Sequence, residues 1–412
     1  MEELKIQLLE VVVMFNLSNL NLKILAGSTK INKVALNPLD KNVCEFLNFF
    51  SQKLISNKKA RKYSDLIALS FWCSKKNINK LKERFSFNEK RLGRGLIFHV
   101  TPSNVPTNFF YSLIFGILSG NSNIVKVPSN DFPQIDLICK ILNEILKIKK
   151  FNYFKNYICI VKYKDEKLND STKILSENCD LRVIWGGDNT INQLREYKIL
   201  PHANDITFGD KYSLSIINSK IFDKISKKKL SSLIKNFYND TYLVDQNACS
   251  SPHLILWYGK KSKSAKLKFW NELNKKILKD YQLPMNAITE KYNKYCIDLT
   301  KKYIKRGKIF SQSLYTIELN KLYLDLESLR GKWGYFYEIN IDNIDEMTNY
   351  ITKKFQTLTY FGFNKIFFEK YIENNKPLGI DRIVPIGKGL NIDLFWDGYD
   401  VIKTLSRVVH FE

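Results

Sequence analysis

From about residue 95 the chain alternates short apolar runs with longer stretches of helical period. "LIFHV" and "NIVKV" are strand-length and rich in branched residues. "VPTNFFYSLIFGILSG" and "FPQIDLICKILNEILKI" instead repeat apolar residues at helical spacing, the second through Ile135, Ile138, Ile141, Leu142 and Ile145. The alternation continues with "YICIVKY", "LRVIW", the helix-like "NTINQLREY" and "SLSII". It predicts βαβα units, hence α/β architecture with an open parallel sheet and helices on both faces. The residues ahead of this region read as mostly helical. Beyond Cys249, "HLILWYG" reads as a strand. Leu267, Trp270, Leu273 and Ile277 then set an apolar stripe on a helix, and helical pattern continues through residue 305. A second α/β unit follows, with "LYTIEL" and "YFYEINI" as strands.

A chain of 412 residues with 44% hydrophobic content can bury one large core or two ordinary ones, so two domains are expected. No run approaches the roughly 18 apolar residues of a membrane span. The N-terminal "LLEVVVMF" carries Glu10 and lacks a basic start and a small-residue cleavage site, which points to a cytoplasmic protein. Cysteines 44, 73, 139, 159, 179, 249 and 296 are scattered, odd in number and free of CxxC pairs. They read as reduced thiols, with neither a disulfide framework nor a metal site. The formal charge of +24 invites a nucleic-acid reading, but the lysines run along the whole length and no recognition motif accompanies them. Solvated basic faces explain them better, and the charge also suits attraction of a nucleotide cofactor. A basic nucleic-acid-binding or scaffold protein is the non-enzymatic alternative.

Within "HVTPSNVPTNFFYSLIFGILSGNSNIVKVPSNDFP", Pro102, Asn104, Pro106, Gly120, Asn121 and Lys126 fall in the order strand, P-x-N-x-P turn, helix, G-N, strand ending in lysine. This stretch resembles the cofactor-binding core of the aldehyde dehydrogenase superfamily. Asn104, between two prolines, can aim an N–H at a developing oxyanion. Lys126 closes a strand where open α/β sheets bind ligands, so it can contact ribose or phosphate. Ser129 stands where many NAD-specific relatives carry a ribose-binding glutamate. A carboxylate there repels a 2′-phosphate and serine does not, which favours NADPH and leaves NADH open. In "VIWGGDNTINQLR", Gly186 and Gly187 permit close backbone approach at a helix start, and the segment resembles the superfamily's loop under the nicotinamide and pyrophosphate. Cofactor contacts are thus expected from Pro102, Lys126, Ser129, Gly186, Gly187 and Thr207.

Cys249 in "DQNACSSPHLIL" has polar neighbours Asp245, Gln246, Asn247, Ser250 and Ser251, whereas Cys139 and Cys159 sit in apolar runs as inert thiols do. It also lies where the superfamily places its nucleophile, at the entry to the second domain. Hydrolytic members carry a water-activating glutamate in an E-L-G-G-K segment. Here "TFGDKYSLSII" has Thr207 at that place, with Gly209 and Lys211 preserved. Loss of that base fits reduction of a thioester better than oxidation of an aldehyde.

"GIDRIVPIGKGLNIDLFWDGYDVIKTLSRVV", with "IWGGD", "FGDKYS" and "DQNACSSP", is similar to the acyl-CoA reductase, or fatty acid reductase, family of bacterial luminescence systems. The resemblance covers residues 90 to 409. It implies an aldehyde dehydrogenase-like fold, with a Rossmann-type cofactor domain over 1–207, a returning segment over 385–412, and a catalytic domain over 208–384. It implies NADPH-dependent reduction of a fatty acyl-CoA or acyl-carrier thioester to the aldehyde through acyl-Cys249, with Asn104 and the Cys249 N–H holding the oxyanion. A homo-oligomer and an acyl-protein synthetase partner go with it. A non-fatty acyl donor, as in polysaccharide or secondary-metabolite pathways, and an oxidising aldehyde dehydrogenase are the enzymatic alternatives. Arg382, Trp396, Asp397, Gly398 and Arg407 match family signatures without an assigned chemistry, and closure or subunit contact is their simplest role. Gly331 stands where classical relatives bind ribose through a glutamate. His253 reads as structural first and as a proton donor to the leaving thiol second.

Overall fold

The alternating runs build two separate, mainly parallel sheets. The structure, a computed structural model, describes residues 14–85, 89–103, 105–163, 170–259 and 263–412. The chain divides into one unit of Met1–Gly209 with Tyr399–Glu412 and a second of Asp210–Gly398.

The first unit opens with strands β1 (Met14–Asn16), β2 (Lys23–Gly27) and β3 (Lys30–Asn32). Helices α1 (Lys41–Ser56), α2 (Ser64–Trp72) and α3 (Lys75–Arg84) follow. The N-terminal region is therefore not mostly helical throughout. β2 extends the main sheet antiparallel to a later strand over Ile158–Lys162, and Gly27 makes this possible. At φ +91° it crosses Ile158 so closely that a Cβ would lie 1.8 Å from the Ile158 carbonyl oxygen. Next come β4 (Lys90–Gly93), β5 (Leu96–Val100), α4 (Asn108–Leu118), β6 (Ser122–Lys126), α5 (Pro133–Leu146), β7 (Ile158–Lys162), α6 (Asp170–Asn178), β8 (Leu181–Trp185), α7 (Asp188–Arg195) and β9 (Asn204–Phe208). The sheet order is β2-β7-β6-β5-β8-β9, with β7 through β9 mutually parallel. β5, β6 and β8 are buried on both faces, which is why they read as unbroken apolar runs.

The second unit contains β10 (Tyr212–Asn218), α8 (Ser219–Asp223), α9 (Lys227–Thr241), β11 (Pro252–Tyr258), α10 (Lys263–Asp280), α11 (Met285–Leu299), β12 (Ile304–Ser311), β13 (Leu314–Leu319), β14 (Tyr335–Ile341), β15 (Phe355–Phe361), α12 (Lys365–Asn375) and β16 (Arg382–Pro385). Its order is β12-β13-β14-β11-β10-β15-β16, parallel except for β12. "SLSII" is thus a strand of this second sheet, not of the first. Strand alternation divides the core cleanly: Leu214, Leu256 and Tyr337 pack on one face, while Ile217, Ile255, Trp257 and Phe336 pack on the other under α9 and α10. On α10 the buried stripe is Phe269, Trp270, Leu273 and Ile277. Leu267 is 47% exposed, because a step of about 100° per residue carries it off the face that Trp270 and Leu273 define. Helix also stops at Leu299, short of residue 305.

The segment that rejoins the first unit starts at Tyr399, not at 385. Residues 385–398 stay with the second unit for a visible reason. Asp240 accepts the Gly387 and Gly389 N–H groups, and Arg382 donates to the carbonyls of Lys388, Gly389 and Asn391. Beyond Tyr399, β17 (Ser406–Val409) pairs antiparallel with β4 and sets Arg407 opposite Leu92. Among the described residues no helix is long and apolar enough to cross a membrane.

Candidate active site

In the first unit the strand order reverses between β5 and β8, the point where doubly wound sheets leave a crevice beyond their carboxyl ends. Register puts Val100 level with Lys126 and Ile184, and Ile184 level with Thr207. Pro102, Lys126, Gly186, Gly187 and Thr207 therefore collect at one sheet edge, and exposed Ser129 follows Lys126 by three residues. Asn104 lies outside the described residues. Lys126 is buried with its Nζ 4.9 Å from the Tyr163 ring centroid, and its carbonyl accepts the Thr101 hydroxyl at 2.7 Å. Gly186 donates its N–H to Phe208 at 3.1 Å.

Neither Gly186 nor Gly187 has positive φ, so backbone conformation does not demand glycine at either position. At Gly187 an added Cβ would meet nothing within 4 Å: the space above it is open. Asp188 puts a carboxylate in the first turn of α7, which already compensates that helix start. Open backbone, rather than the helix dipole, is what this turn offers a ligand. Asn108, at the start of α4, buries an Oδ1 with no hydrogen-bond partner. An open glycine, a buried lysine and an orphaned acceptor around the crevice of a doubly wound sheet fit a nicotinamide dinucleotide. Below this edge Trp185 stacks on Phe208 at 3.8 Å and donates to Ser112, which bonds His99. Burial pushes His99 down to about 4, so it is a neutral, structural histidine.

The second unit carries the thiol. Cys249 sits on a turn just before β11, at the amino edge of the sheet, and the chain enters that turn through Asp245 (φ +52°) and Gln246 (φ +61°). Two non-glycine residues in left-handed geometry cost about 1–3 kcal/mol each. Buried Gln246 offsets this with four bonds to main chain: its amide nitrogen donates to Pro252 (3.0 Å) and Tyr335 (3.1 Å), and its oxygen accepts from Gly334 (3.2 Å) and Tyr335 (3.0 Å). At about 1 kcal/mol net each, these match the strain in order of magnitude. Asp245 accepts the Tyr281 hydroxyl at 2.6 Å, and Ser251 donates to the Asp240 carbonyl at 2.7 Å. Ser213 donates to the Cys249 carbonyl at 2.6 Å and accepts the Thr357 N–H at 3.1 Å. The turn is thus braced from three strands.

Cys249 is exposed, as is Cys296, while Cys73, Cys139, Cys159 and Cys179 are buried. Burial pushes the thiols of Cys139, Cys159 and Cys179 up to about 12, which makes them inert. The Cys249 thiol is accessible yet crowded. Desolvation raises its pKa above the ordinary thiol value, Asp397 and Asp210 add to the rise, and the Lys211 N–H and Arg330 oppose it. Arg330 is itself paired with Asp210 at 3.3 Å. His253 is a neutral, buried histidine in this setting. Its Nδ1 accepts the Gly331 N–H at 3.2 Å, and burial with the nearby Arg330 charge pushes the ring down to about 3.

Residues 75–408 match the family described as acyl-CoA reductase (LuxC). The chain belongs to this family. Among curated relatives, the long-chain acyl-protein thioester reductases of Photorhabdus laumondii and Aliivibrio fischeri are 25% identical over 329 residues and 24% over 336. The matches cover 78% and 77% of this chain but 64% and 63% of those proteins, so the chain spans just under two thirds of their length. Among solved structures, aldehyde dehydrogenase 21 from Physcomitrella patens matches with a TM-score of 0.59 at 13% identity, covering 90% of this chain and 84% of that one. Such likeness shows the aldehyde dehydrogenase-like fold expected from the Pro102–Lys126 pattern.

Three positions in this LuxC-family chain escaped the sequence reading or received no role from it. Gln246 was legible only as a polar neighbour of the cysteine, although it holds the turn. Ser213 lies inside a strand pattern. Asp397, on a left-handed turn with Gly398, accepts the Gln356 amide and is pushed up to about 6 by burial, against Gln356 and Lys211. The W-D-G run was its one signal. Arg382 lies 5.1 Å from the Trp396 ring and shapes the 387–391 loop, a structural task.

Proposed function

We propose that the protein reduces an acyl thioester to the aldehyde through a covalent acyl-Cys249. The observation that carries this reading is the accessible thiol on a turn held in left-handed geometry by a buried glutamine, in a chain whose other unit is a doubly wound sheet with its strand order reversing between β5 and β8. Cys249 attacks the thioester carbonyl, and its own N–H is the candidate donor to the oxyanion, with Asn104 as the second donor that the resemblance implies. Thr207, half-buried in β9, offers no carboxylate to activate water at that position, which favours reduction over hydrolysis.

Pro102, Lys126, Ser129, Gly186, Gly187 and Thr207 would hold the nicotinamide cofactor, and exposed Ser129 leaves room for the 2′-phosphate of NADPH. When bound in its reduced form, that cofactor supplies hydride. The names of the curated relatives support a long-chain acyl group carried on protein, and the family description supports one carried on CoA. Family membership supports a homo-oligomer, an acyl-activating partner and a cytoplasmic site of action.

The test is NADPH consumption with acyl-CoAs of varied chain length, on wild type and Cys249→Ala, with the aldehyde trapped. Chain-length-dependent aldehyde formation that vanishes in the variant is expected. Equal rates in both proteins would remove Cys249 from the chemistry.

A further inference from the structure

The thioester chemistry leaves one buried cation of the second unit without a task. Lys291, on α11, is 2% exposed, and among the described residues it forms no ion pair. A buried cation without a carboxylate is costly, and burial pushes Lys291 down to about 7. Its Nζ goes instead to two main-chain carbonyls, of Trp333 at 2.7 Å and Gln312 at 2.9 Å, and lies 4.4 Å from the Tyr315 ring centroid. Those carbonyls belong to the loops that lead into β14 and β13. From Trp333 an unbroken run of hydrogen bonds reaches the turn of Cys249. Trp333 is left-handed at φ +54°, a strained geometry for a tryptophan. Lys291 holds its carbonyl, and its N–H donates to the Asp245 carbonyl at 3.0 Å. The next two N–H groups, of Gly334 and Tyr335, are the pair that Gln246 accepts. Asp245, Gln246 and Trp333 thus form one left-handed cluster tied crosswise. α11 is a firm base for it: Asp298, two turns on from Lys291, accepts the Tyr335 hydroxyl at 2.7 Å and pairs with Lys301 at 2.7 Å.

We propose that Lys291 is a positioning residue for the nucleophile. By holding the Trp333 carbonyl it fixes the loop on which the Asp245–Gln246 turn rests, and so sets the direction in which Cys249 and its N–H meet the thioester. The proposal rests on the thioester reading above. Lys291 acts through Trp333, Asp245 and Gln246 and takes part in no bond change. An ammonium suits the task better than a neutral donor: its three protons serve both carbonyls at once, and a charged donor makes a hydrogen bond roughly twice as strong.

The experiment uses the full chain, without cofactor, as wild type, Lys291→Met and Lys291→Gln. Methionine keeps a long unbranched stem and loses the donors, whereas glutamine keeps a neutral donor on a shorter one. Acylation by decanoyl-CoA is followed by CoA release over a range of thioester concentration. Iodoacetamide alkylation is read at Cys249 by peptide mass spectrometry, and hydrogen exchange at the Trp333, Gly334 and Tyr335 amides. Iodoacetamide needs a thiol but no oriented N–H, so the two reactions separate position from reactivity. In Lys291→Met the limiting acylation rate is expected to fall about tenfold or more at an unchanged half-saturating concentration, with alkylation held within about twofold. The three amides should exchange at least about tenfold faster. Lys291→Gln should fall between the two, and it carries the same test should Lys291→Met not fold. Wild-type acylation in Lys291→Met, or acylation and alkylation lost together, overturns the role, the latter marking a collapsed turn. A wild type that no thioester acylates, whatever its chain length, refutes the thioester reading instead and takes the role in acylation with it, while unchanged amide exchange in Lys291→Met would refute the hold on the loop by itself.

Discussion

Replacing Gln246 with alanine should release the turn that presents the thiol. The variant leaves the Gly334 and Tyr335 N–H groups buried without acceptors and removes donors from the Pro252 and Tyr335 carbonyls. An orphaned buried polar group costs about 1–3 kcal/mol. The side chain's own four bonds also vanish while Asp245 and residue 246 keep their left-handed geometry, so the loss is roughly 3–5 kcal/mol. Hydrogen exchange reads it locally. The Gly334 and Tyr335 amides should lose protection while the first-unit strands β5 and β6 keep theirs. Acylation of Cys249 should fall in step. Wild-type protection at both amides, with full acylation, would refute the reasoning that Gln246 holds the turn.

Gly187→Val should leave thermal stability unchanged, since a Cβ there meets nothing, yet weaken NADPH binding at least about tenfold; fluorescence titration checks it, and intact binding would move the dinucleotide out of the β5/β8 crevice. Ser129→Glu should lower the NADPH to NADH ratio of kcat/KM roughly fivefold, about 1 kcal/mol for an exposed carboxylate near a 2′-phosphate. The pH dependence of alkylation follows from the raised Cys249 thiol. The reactive thiolate is scarce at neutral pH and grows as pH rises through that raised value, so the alkylation rate should climb past the ordinary thiol range. A plateau below that range would contradict the desolvation at this turn.

Much of the fold was legible because parallel strands buried on both faces leave continuous apolar runs between helical periods, as in β5, β6 and β8. β2 was not, since five residues at a sheet edge carry too short a pattern to outweigh the helices that follow it. The break at Tyr399 was hidden for another reason: Asp240 fixes residues 387 and 389 from about 150 positions away in the chain, and no local pattern records it. Cys249 could be picked out because its neighbours are polar. Gln246 could not be ranked among them, because its partners at Gly334 and Tyr335 are 88 and 89 residues distant and its positive φ falls on a residue that does not advertise one. The setting of Asp397 emerged only once folding brought its carboxylate to the Gln356 amide.

The central claim is a covalent acyl group on Cys249, and intact-protein mass spectrometry tests it most directly. The chain is incubated with a long-chain acyl-CoA in the absence of reduced cofactor, then digested to locate any adduct. The account predicts one added acyl mass on the peptide that carries Cys249, absent from Cys249→Ala and discharged as aldehyde when NADPH is added. An adduct on any other residue, or aldehyde formed at the wild-type rate by Cys249→Ala, would contradict it.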